Sequence, residues 1–378
     1  MVHLQEYFKT NSLDSIKCDI KKPRSYFIKN AIRGFKSWLI PYLKGRFKKD
    51  FSPVLAYLYT DLNCNLNCKY CYSQGKKIPG MSMDVARKCV DWLKSIGCRV
   101  LAYMGGEPLV RKDFIIELTE YAVHEGFFVY LPTNGYLLDE DFINAIGKAG
   151  VATINLAVDV VRPKEGLPKA LSKIADKLEY LLEKEPEYGY ITFFNINITR
   201  NNIEDVKTLT EIANRLGIAT DYHINEPPPI DYENFDKDDG LWITPEQFEE
   251  VDNLVDWLIE KNKSGFTMVN SIEHLRLMKD FIRGKLKGWN CKAGDLSMVI
   301  RLDGTFAPCF EFYGSSEDWG NVFDGPKFDK KKLNEMKKEC SKHCLSTCNF
   351  QVYHYTKSLI YSLQWVIKHA YSDLFGTS

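Results

Sequence analysis

Residues 54–71 read VLAYLYTDLNCNLNCKYC. The first seven, VLAYLYT, are short, apolar and rich in aromatic and β-branched side chains, which predicts a buried strand over 54–60. A loop follows in which Cys64, Cys68 and Cys71 stand at the spacing C-x₃-C-x₂-C. Three thiolates at this spacing can wrap one iron–sulfur cluster and leave one iron without a protein ligand. An iron open to a small molecule is what chemistry at a cluster requires, since a fully ligated cluster only carries electrons. A structural zinc site is the competing reading. Such sites pair two short cysteine knuckles into four ligands, and no fourth Cys or His stands near this triplet.

Outward from the loop the pattern repeats. Residues 82–96 predict a helix, with Ser82 as N-cap, Val85, Cys89, Val90, Leu93 and Ile96 on one face, and Gly97 as its stop. Further strands are expected near 99–104, 127–131, 152–158, 190–198 and 218–224, and helices near 112–125, 140–149, 168–184 and 203–216. Strands separated by helices of this length imply βαβ units and a parallel sheet. Six strands precede Pro227-Pro228-Pro229, too few to close an eightfold barrel. The expected fold class is therefore α/β, a partial (βα)₆ TIM-like barrel. Its functional residues belong at the C-terminal ends of the strands, where the cysteine loop leaves the first.

The domain reading is a leader over 1–50, the partial barrel over 51–229, a helical linker over 230–290 with helices at 245–262 and 271–284, a small cysteine-bearing domain over 291–350, and a C-terminal helix over 351–378. Asp303-Gly304 suits the tight turn of a hairpin in the cysteine-bearing part.

Composition sets the class. Apolar residues make up 45% of the 378, enough for a large core, and charged residues 26%, ordinary for a soluble protein. Net charge is zero, which speaks against nucleic acid as a partner of the whole molecule. Residues 1–20 lack the apolar core of a signal peptide, and no run of about eighteen apolar residues suggests a membrane span. The expectation is a cytoplasmic protein whose eleven cysteines are free thiols or metal ligands.

Beyond the cysteines, Gly105-Gly106-Glu107-Pro108 follows the second strand and Thr133-Asn134-Gly135 the third. Cysteine loop, GGEP and TNG, in this order on these elements, resemble the radical S-adenosylmethionine superfamily over about residues 50–225. The resemblance implies a [4Fe–4S] cluster on Cys64, Cys68 and Cys71, with Gly105, Gly106, Glu107 and Pro108 at the methionine end of S-adenosylmethionine and Tyr70 near its adenine. Asn134 belongs to the TNG match. A carboxylate such as Glu107 can take a charge-assisted hydrogen bond from an ammonium, and glycines let backbone approach a ligand closely; taken alone, GGEP would be a tight βα turn. Asp159, at the end of the fourth strand, either faces the ribose or substrate or caps a helix. Asn197 and Arg200 end the fifth strand, where the family often contacts its cofactor; an exposed structural Arg200 is the alternative.

A second group comprises Cys291, Cys309, Cys340, Cys344 and Cys348. The run C-x₁₂-G-x₄-C from Cys291 to Cys309 resembles the opening of the SPASM or twitch extension of that superfamily, which binds auxiliary clusters. The later C-x₃-C-x₃-C departs from the full SPASM pattern and is too short for two clusters. One auxiliary [4Fe–4S] cluster is expected, on Cys291, Cys309 and two of Cys340, Cys344 and Cys348, with a zinc ribbon as the alternative. Cys18, Cys89 and Cys98 are expected to be ordinary residues.

From Lys21 to Lys49 there are ten Lys or Arg and no acid. Ile28, Ile32, Phe35 and Leu39 share a helical face and Trp38 lies beside it, while Pro41 is expected to bend or split the helix. Such a cationic amphipathic helix suits the surface of an anionic membrane. It can equally pack on the barrel with its charges in water.

The resemblance implies reductive cleavage of S-adenosylmethionine to a 5′-deoxyadenosyl radical, with an electron donor such as flavodoxin or ferredoxin. The leader favours an apolar or amphiphilic small-molecule substrate, such as an isoprenoid or membrane lipid. A peptide-modifying maturase of SPASM type and a non-catalytic iron–sulfur or zinc protein are the rival readings.

Overall fold

The computed structural model describes residues 2–46, 51–71, 78–226 and 241–357. Before the barrel come helix α1 (Gln5–Thr10) and a long leader helix of α2 (Arg24–Gly34), a π turn (Phe35–Leu39) and α3 (Ile40–Arg46). The alternation then runs β1 (Leu55–Asp61), α4 (Met83–Ile96), β2 (Val100–Gly105), α5 (Lys112–His124), β3 (Phe128–Thr133), α6 (Glu140–Lys148), β4 (Thr153–Ala157), α7 (Ala175–Tyr188), β5 (Ile191–Ile198), α8 (Ile203–Leu216) and β6 (Ala219–Ile224). Helices α9 (Phe248–Lys263) and α10 (Ile272–Phe281) follow. The remainder holds β7 (Ser297–Ile300), β8 (Phe306–Ala307), β9 (Gly320–Asn321), β10 (Gly325–Pro326), α11 (Lys330–Cys340) and α12 (Thr347–Thr356).

Strands β1 to β6 are parallel and neighbour one another in chain order. The sheet does not close. Its edge strands are β6 and β8, because β7 adds in parallel to β1 and β8 folds back on β7 through the Asp303-Gly304 turn. This is the partial TIM-like fold that six βα units allow. All seven residues of β1 are buried, as a strand covered on both faces requires. Helix α4 has the ends its sequence predicts: Ser82 Oγ accepts from Val85 N at 3.3 Å, and Gly97 stops the helix at φ 93°.

Two boundaries differ from expectation. The helix expected at 168–184 begins at Ala175, because residues 160–173 fold back along β4 and the Lys169 carbonyl accepts from Asp159 N and Val160 N at 2.9 and 3.2 Å. The leader helix is not split at Pro41. Proline cannot donate to the carbonyl four residues back, and the π turn just before it shifts the register, with Ile40 N bonded to the Phe35 carbonyl. The tri-proline stretch, and residues 358–378 of the expected C-terminal helix, lie outside the described residues.

The leader packs on the barrel through its cations as well as its apolar side. Glu185 of α7, fully buried, takes Tyr26 Oη at 2.5 Å and Lys22 Nζ at 3.0 Å. Lys29 and Arg33 reach the carbonyls of Tyr188 and Gly189 at 3.3 and 3.4 Å, where the α7 dipole favours positive charge. On the expected apolar face, Leu39 is buried, whereas Ile28, Ile32 and Phe35 are 42%, 49% and 44% exposed. Trp38 packs edge-on to Tyr130 of β3. Glu185→Ala should therefore lower the unfolding free energy in urea by about 1–3 kcal/mol, since it leaves the half-buried Lys22 ammonium unpaired and the Tyr26 hydroxyl with the Tyr190 carbonyl alone, at 2.9 Å. An unchanged midpoint would show that the leader docks without this pair.

Candidate active site

The cysteine loop leaves β1 and is clamped on three sides. Asn63 N bonds to Asp61 Oδ1 at 2.7 Å, Lys69 N to the Gly166 carbonyl at 3.0 Å, and Asn134 Nδ2 to Asn65 Oδ1 at 2.8 Å. Cys64 is exposed, Cys68 buried and Cys71 between the two. The three thiols are near enough to interact electrostatically with one another. Three thiols gathered on one loop fit the [4Fe–4S] group that the spacing predicts.

Gly105 and Gly106 carry the end of β2 across this loop. A Cβ on Gly105 would lie 1.8 Å from the Asp61 carbonyl oxygen, and one on Gly106 2.2 Å from that of Asn63. Gly106 N and Glu107 N bond to those same carbonyls at 3.0 and 2.8 Å. The close approach that requires glycine is thus to the cysteine loop's own backbone, where a ligand was expected. Glu107 is buried and accepts from Thr133 Oγ1 (2.7 Å), Asn134 N (2.8 Å) and Leu109 N (3.0 Å). Burial raises its pKa despite these three donors. Pro108 opens the short 3₁₀ turn that Glu107 caps. Both readings of GGEP therefore meet here: a capped turn, and a carboxylate held at the cysteine loop.

Asp159 caps no helix. It is buried just beyond β4, bonded to Tyr70 Oη, and accepts from Asn197 N at 3.1 Å. Asn197 turns its side chain to Asn225 at 3.0 Å. Arg200 is tied through its backbone to Leu241 and Gln247, at 3.1 and 2.7 Å, beyond the end of β5.

Lys169 was not expected in the site. Its ammonium lies 5.2 Å from the Tyr70 ring centroid, and it interacts electrostatically with Asp159 and all three loop cysteines. Burial works against its charge, but Asp159 and the cysteines outweigh that and hold its pKa above the usual range. Burial in turn raises Cys68 to about 12, with Lys169 opposing it. A lysine inside a stretch that predicts a helix carries no local signal of this position.

The second cysteine group forms a separate centre. Cys291, Cys309, Cys340 and Cys344 line a cavity of about 350 Å³ with Glu226, Glu311 and Lys337. Burial raises all four thiols, Cys291 to about 12. Thiols so held lose their protons readily only to a metal. Four of them around one cavity fit an auxiliary [4Fe–4S] cluster. Cys348 differs from the expected set. It lies in the first turn of α12 on another cavity, inside the barrel, and its carbonyl accepts from Tyr57 Oη at 3.3 Å. Among the described residues, Glu226, Glu311 and Cys344 are the three groups whose ligand atoms fall within 4.8 Å of one another.

His274 positions this centre. It is fully buried, stacks on Phe350 at 4.4 Å, and its Nε2 lies 3.2 Å from the carbonyl of Leu345, next to Cys344.

Residues 62–222 match the family described as the radical SAM superfamily. Among curated proteins, the chain is 28% identical over 170 residues to an Fe-coproporphyrin III synthase of Methanosarcina barkeri, covering 44% of this chain and 42% of that protein. It is 35% identical over 148 residues to a GTP 3′,8-cyclase of Mannheimia succiniciproducens, covering 38% and 44%. The matches span about half the length of these curated relatives. Among solved structures, SuiB of Streptococcus suis bound to S-adenosylmethionine superposes with a TM-score of 0.55 at 14% identity, over 77% of this chain and 67% of that one. The last likeness is one of fold.

Burial lowers the His274 pKa to about 3. The unfolded chain, at about 6.5, takes up the proton first. The stability His274 contributes is therefore complete above about pH 6.5 and falls by up to about 1.4 kcal/mol per unit as pH drops toward 3. Urea unfolding at pH 5.0 and 7.0 should show this slope, and His274→Gln should flatten it. An equal slope in the variant would assign the pH dependence to other groups.

Proposed function

We propose, from the match of residues 62–222 to the radical SAM superfamily, that this chain reductively cleaves S-adenosylmethionine and functionalises an unactivated carbon of an apolar or amphiphilic small molecule. The observation that carries the reading is the convergence of the cysteine loop, Glu107, Asn134 and the Tyr70–Asp159–Lys169 group at the C-terminal ends of β1 to β4. Cys64, Cys68 and Cys71 would hold the cluster, and three ligands leave one iron open. When bound, the cluster and S-adenosylmethionine supply an electron and a 5′-deoxyadenosyl radical. The protein's own work is binding and exclusion. Glu107 Oε2, with Asn134 N on one side, has a lone pair left for an ammonium. Lys169 offers a cation to a carboxylate, or to the negative charge gathered on the loop. Tyr70, fixed by Asp159, presents its ring to the same space.

Cys291, Cys309, Cys340 and Cys344 would hold the auxiliary cluster, which can take up an electron or position a substrate. Enzymes of this superfamily need a reductant, and a flavodoxin or ferredoxin is the donor we propose. A peptide substrate is the second reading, supported by the likeness in fold to SuiB, which has also been solved bound to its precursor peptide SuiA. The match of residues 62–222 to the radical SAM superfamily speaks against a zinc protein.

Among the described residues no helix is long and apolar enough to cross a membrane. Peripheral contact remains part of the proposal through the exposed ridge of Ile28, Ile32 and Phe35 beside Lys36. An isoprenoid or lipid substrate rests on that ridge alone.

Anaerobically reconstituted protein should carry about eight irons, as two four-iron clusters. Changing Cys64, Cys68 and Cys71 to Ala should remove about four and abolish S-adenosylmethionine cleavage, read as 5′-deoxyadenosine release. Cleavage by that triple variant would overturn the reading. For the ridge, Ile28→Ser with Phe35→Ser should weaken binding to anionic vesicles at least about tenfold, since each removes a large apolar side chain from the interface. If the wild-type protein binds no such vesicles at low salt, the membrane contact fails and the enzyme reading stands.

A further inference from the structure

Below the cysteine loop, the inward positions of six strands wall a cavity of about 280 Å³ inside the barrel. Tyr57, Phe128, Tyr130 and Phe193 give it aromatic walls, and the leader helix and α12 complete it. Met104 and Pro132 reach its upper part, and each directly precedes a site segment, Gly105-Gly106-Glu107 and Thr133-Asn134. The cavity therefore lies one layer of side chains beneath the candidate active site.

Several of its polar groups are left without partners among the described residues. Asn30, Thr153, Asn155, Asp221 and Gln351 line this cavity, and Asn30 Oδ1 and Nδ2, Thr153 Oγ1, Asn155 Oδ1, Asp221 Oδ1 and Gln351 Oε1 are buried with no hydrogen-bond partner among the described residues. Asn30, Thr153 and Asp221 are more than nine-tenths buried as whole residues. Buried polar atoms are rarely left unpaired, because each has given up its bonds to water. Six such atoms around one cavity point to a ligand that pairs them.

Their chemistry states what the ligand brings. Four of the six are carbonyl or carboxylate oxygens, which only accept. Among the described residues, Asp221 is the one carboxylate lining the cavity, and no Lys or Arg lines it. Its second oxygen lies 3.6 Å from His223 Nε2, beyond hydrogen-bond distance, and that nitrogen is 3.0 Å from Asn195 Nδ2. Aromatic faces beside a lone carboxylate favour a desolvated cation.

Resting on the radical SAM reading above, we propose that this cavity is the substrate chamber and that it takes an organic amine. The ammonium would pair with Asp221, with Asn155 and Gln351 as further acceptors, and the apolar body would lie against Tyr57, Tyr130 and Phe193. The leader helix is one wall of the chamber. Gly34 faces the cavity, and a Cβ there would meet no atom within 4 Å. A large side chain at 34 would fill the chamber with no backbone clash.

The test is equilibrium binding to the reconstituted protein, without reductant, of three probes of one size: phenethylamine, 2-phenylethanol and phenylacetate. The amine should bind at least about tenfold more tightly than the alcohol, and the carboxylate should not bind. Asp221→Asn should erase the preference for amine over alcohol. Gly34→Leu should block the amine at unchanged iron content and thermal midpoint. Equal binding of amine and alcohol, binding of phenylacetate, or no binding of the amine at millimolar concentration would overturn the proposal, the last by leaving a chamber of ordered water. If Gly34→Leu does not fold, the isosteric Asp221→Asn decides. A wild-type protein that cleaves S-adenosylmethionine but does not bind the amine refutes the amine chamber alone. One that binds the amine but cleaves nothing refutes the enzyme reading and leaves the chamber.

Discussion

The structure depends on one crossing of backbone over backbone. The chain leaving β2 passes so close to the chain leaving β1 that Gly105 and Gly106 cannot carry a side chain without striking the carbonyls of Asp61 and Asn63. Gly105 also sits at φ +144°, which side-chain-bearing residues rarely adopt. The contact is sealed by Gly106 N and Glu107 N bonding to those carbonyls. Cysteine loop and Glu107 turn thereby become one rigid unit. Glu107 extends the unit to β3 through Thr133 and Asn134, and Asn134 returns to the loop through Asn65. Three strand ends thus close a ring of hydrogen bonds around Cys64, and the position of any one member is set by the others. Sites held by such interlocked supports are the ones that keep a reacting group in place.

Electrostatics divides the two cysteine centres. At the loop, Lys169 offsets the charge that three thiolates would gather, and Asp159 balances Lys169 in turn. At the second centre the carboxyls of Glu226 and Glu311 stand beside four cysteines, with Lys337 the cation among the cavity's lining residues, itself paired to Asp295. Burial raises Glu226 to about 8, with Glu311 adding to the shift. A site of this kind disfavours extra negative charge, so it holds thiols and carboxyls in their neutral forms until a metal displaces the protons. The segments after β6 pack back onto the barrel, since β7 pairs with β1, and His274 ties α10 to the segment bearing Cys344.

The alternation of strand and helix was legible because each element carries its own local signals: a continuous apolar run in β1, a serine cap and glycine stop on α4. The cysteine loop and Glu107 were legible because their function resides in short contiguous motifs. Lys169 was not, because its place is set by the fold-back of residues 160–173 onto β4, a tertiary event that helical periodicity at 168–184 conceals. Nor could spacing separate Cys348 from Cys340 and Cys344. An even C-x₃-C-x₃-C run shows no break, whereas in the structure α12 begins at Thr347 and turns Cys348 toward Tyr57. Asn155 and Asp221 were hidden for a further reason. Alternation with a period of two tells that the faces of a strand differ, but a polar residue in it is ordinarily assigned to solvent, and here it faces the interior.

The leader shows how far composition alone can mislead. Ten cations and no acids suggest a surface for anionic lipid, yet the structure assigns Lys22, Lys29 and Arg33 to α7: one to the buried Glu185, two to the carbonyls at the helix end. Its apolar residues divide as well. Leu39 and Tyr42 are buried and Trp38 meets Tyr130, while Ile28, Ile32 and Phe35 remain outside. The division follows from the register of one helix crossing the open side of the barrel, and the π turn at Phe35–Leu39 sets that register between the two sets. Without the extra residue of the π turn, residues after it would rotate by about 100° relative to those before, and Leu39 and Tyr42 would not share the inward side with Asn30 and Gly34. The same helix therefore both walls the barrel interior and presents an exposed apolar ridge. Anything that displaced the ridge would also move the wall, so access to the barrel interior and contacts made by the leader's outer face are mechanically linked through residues 24–46.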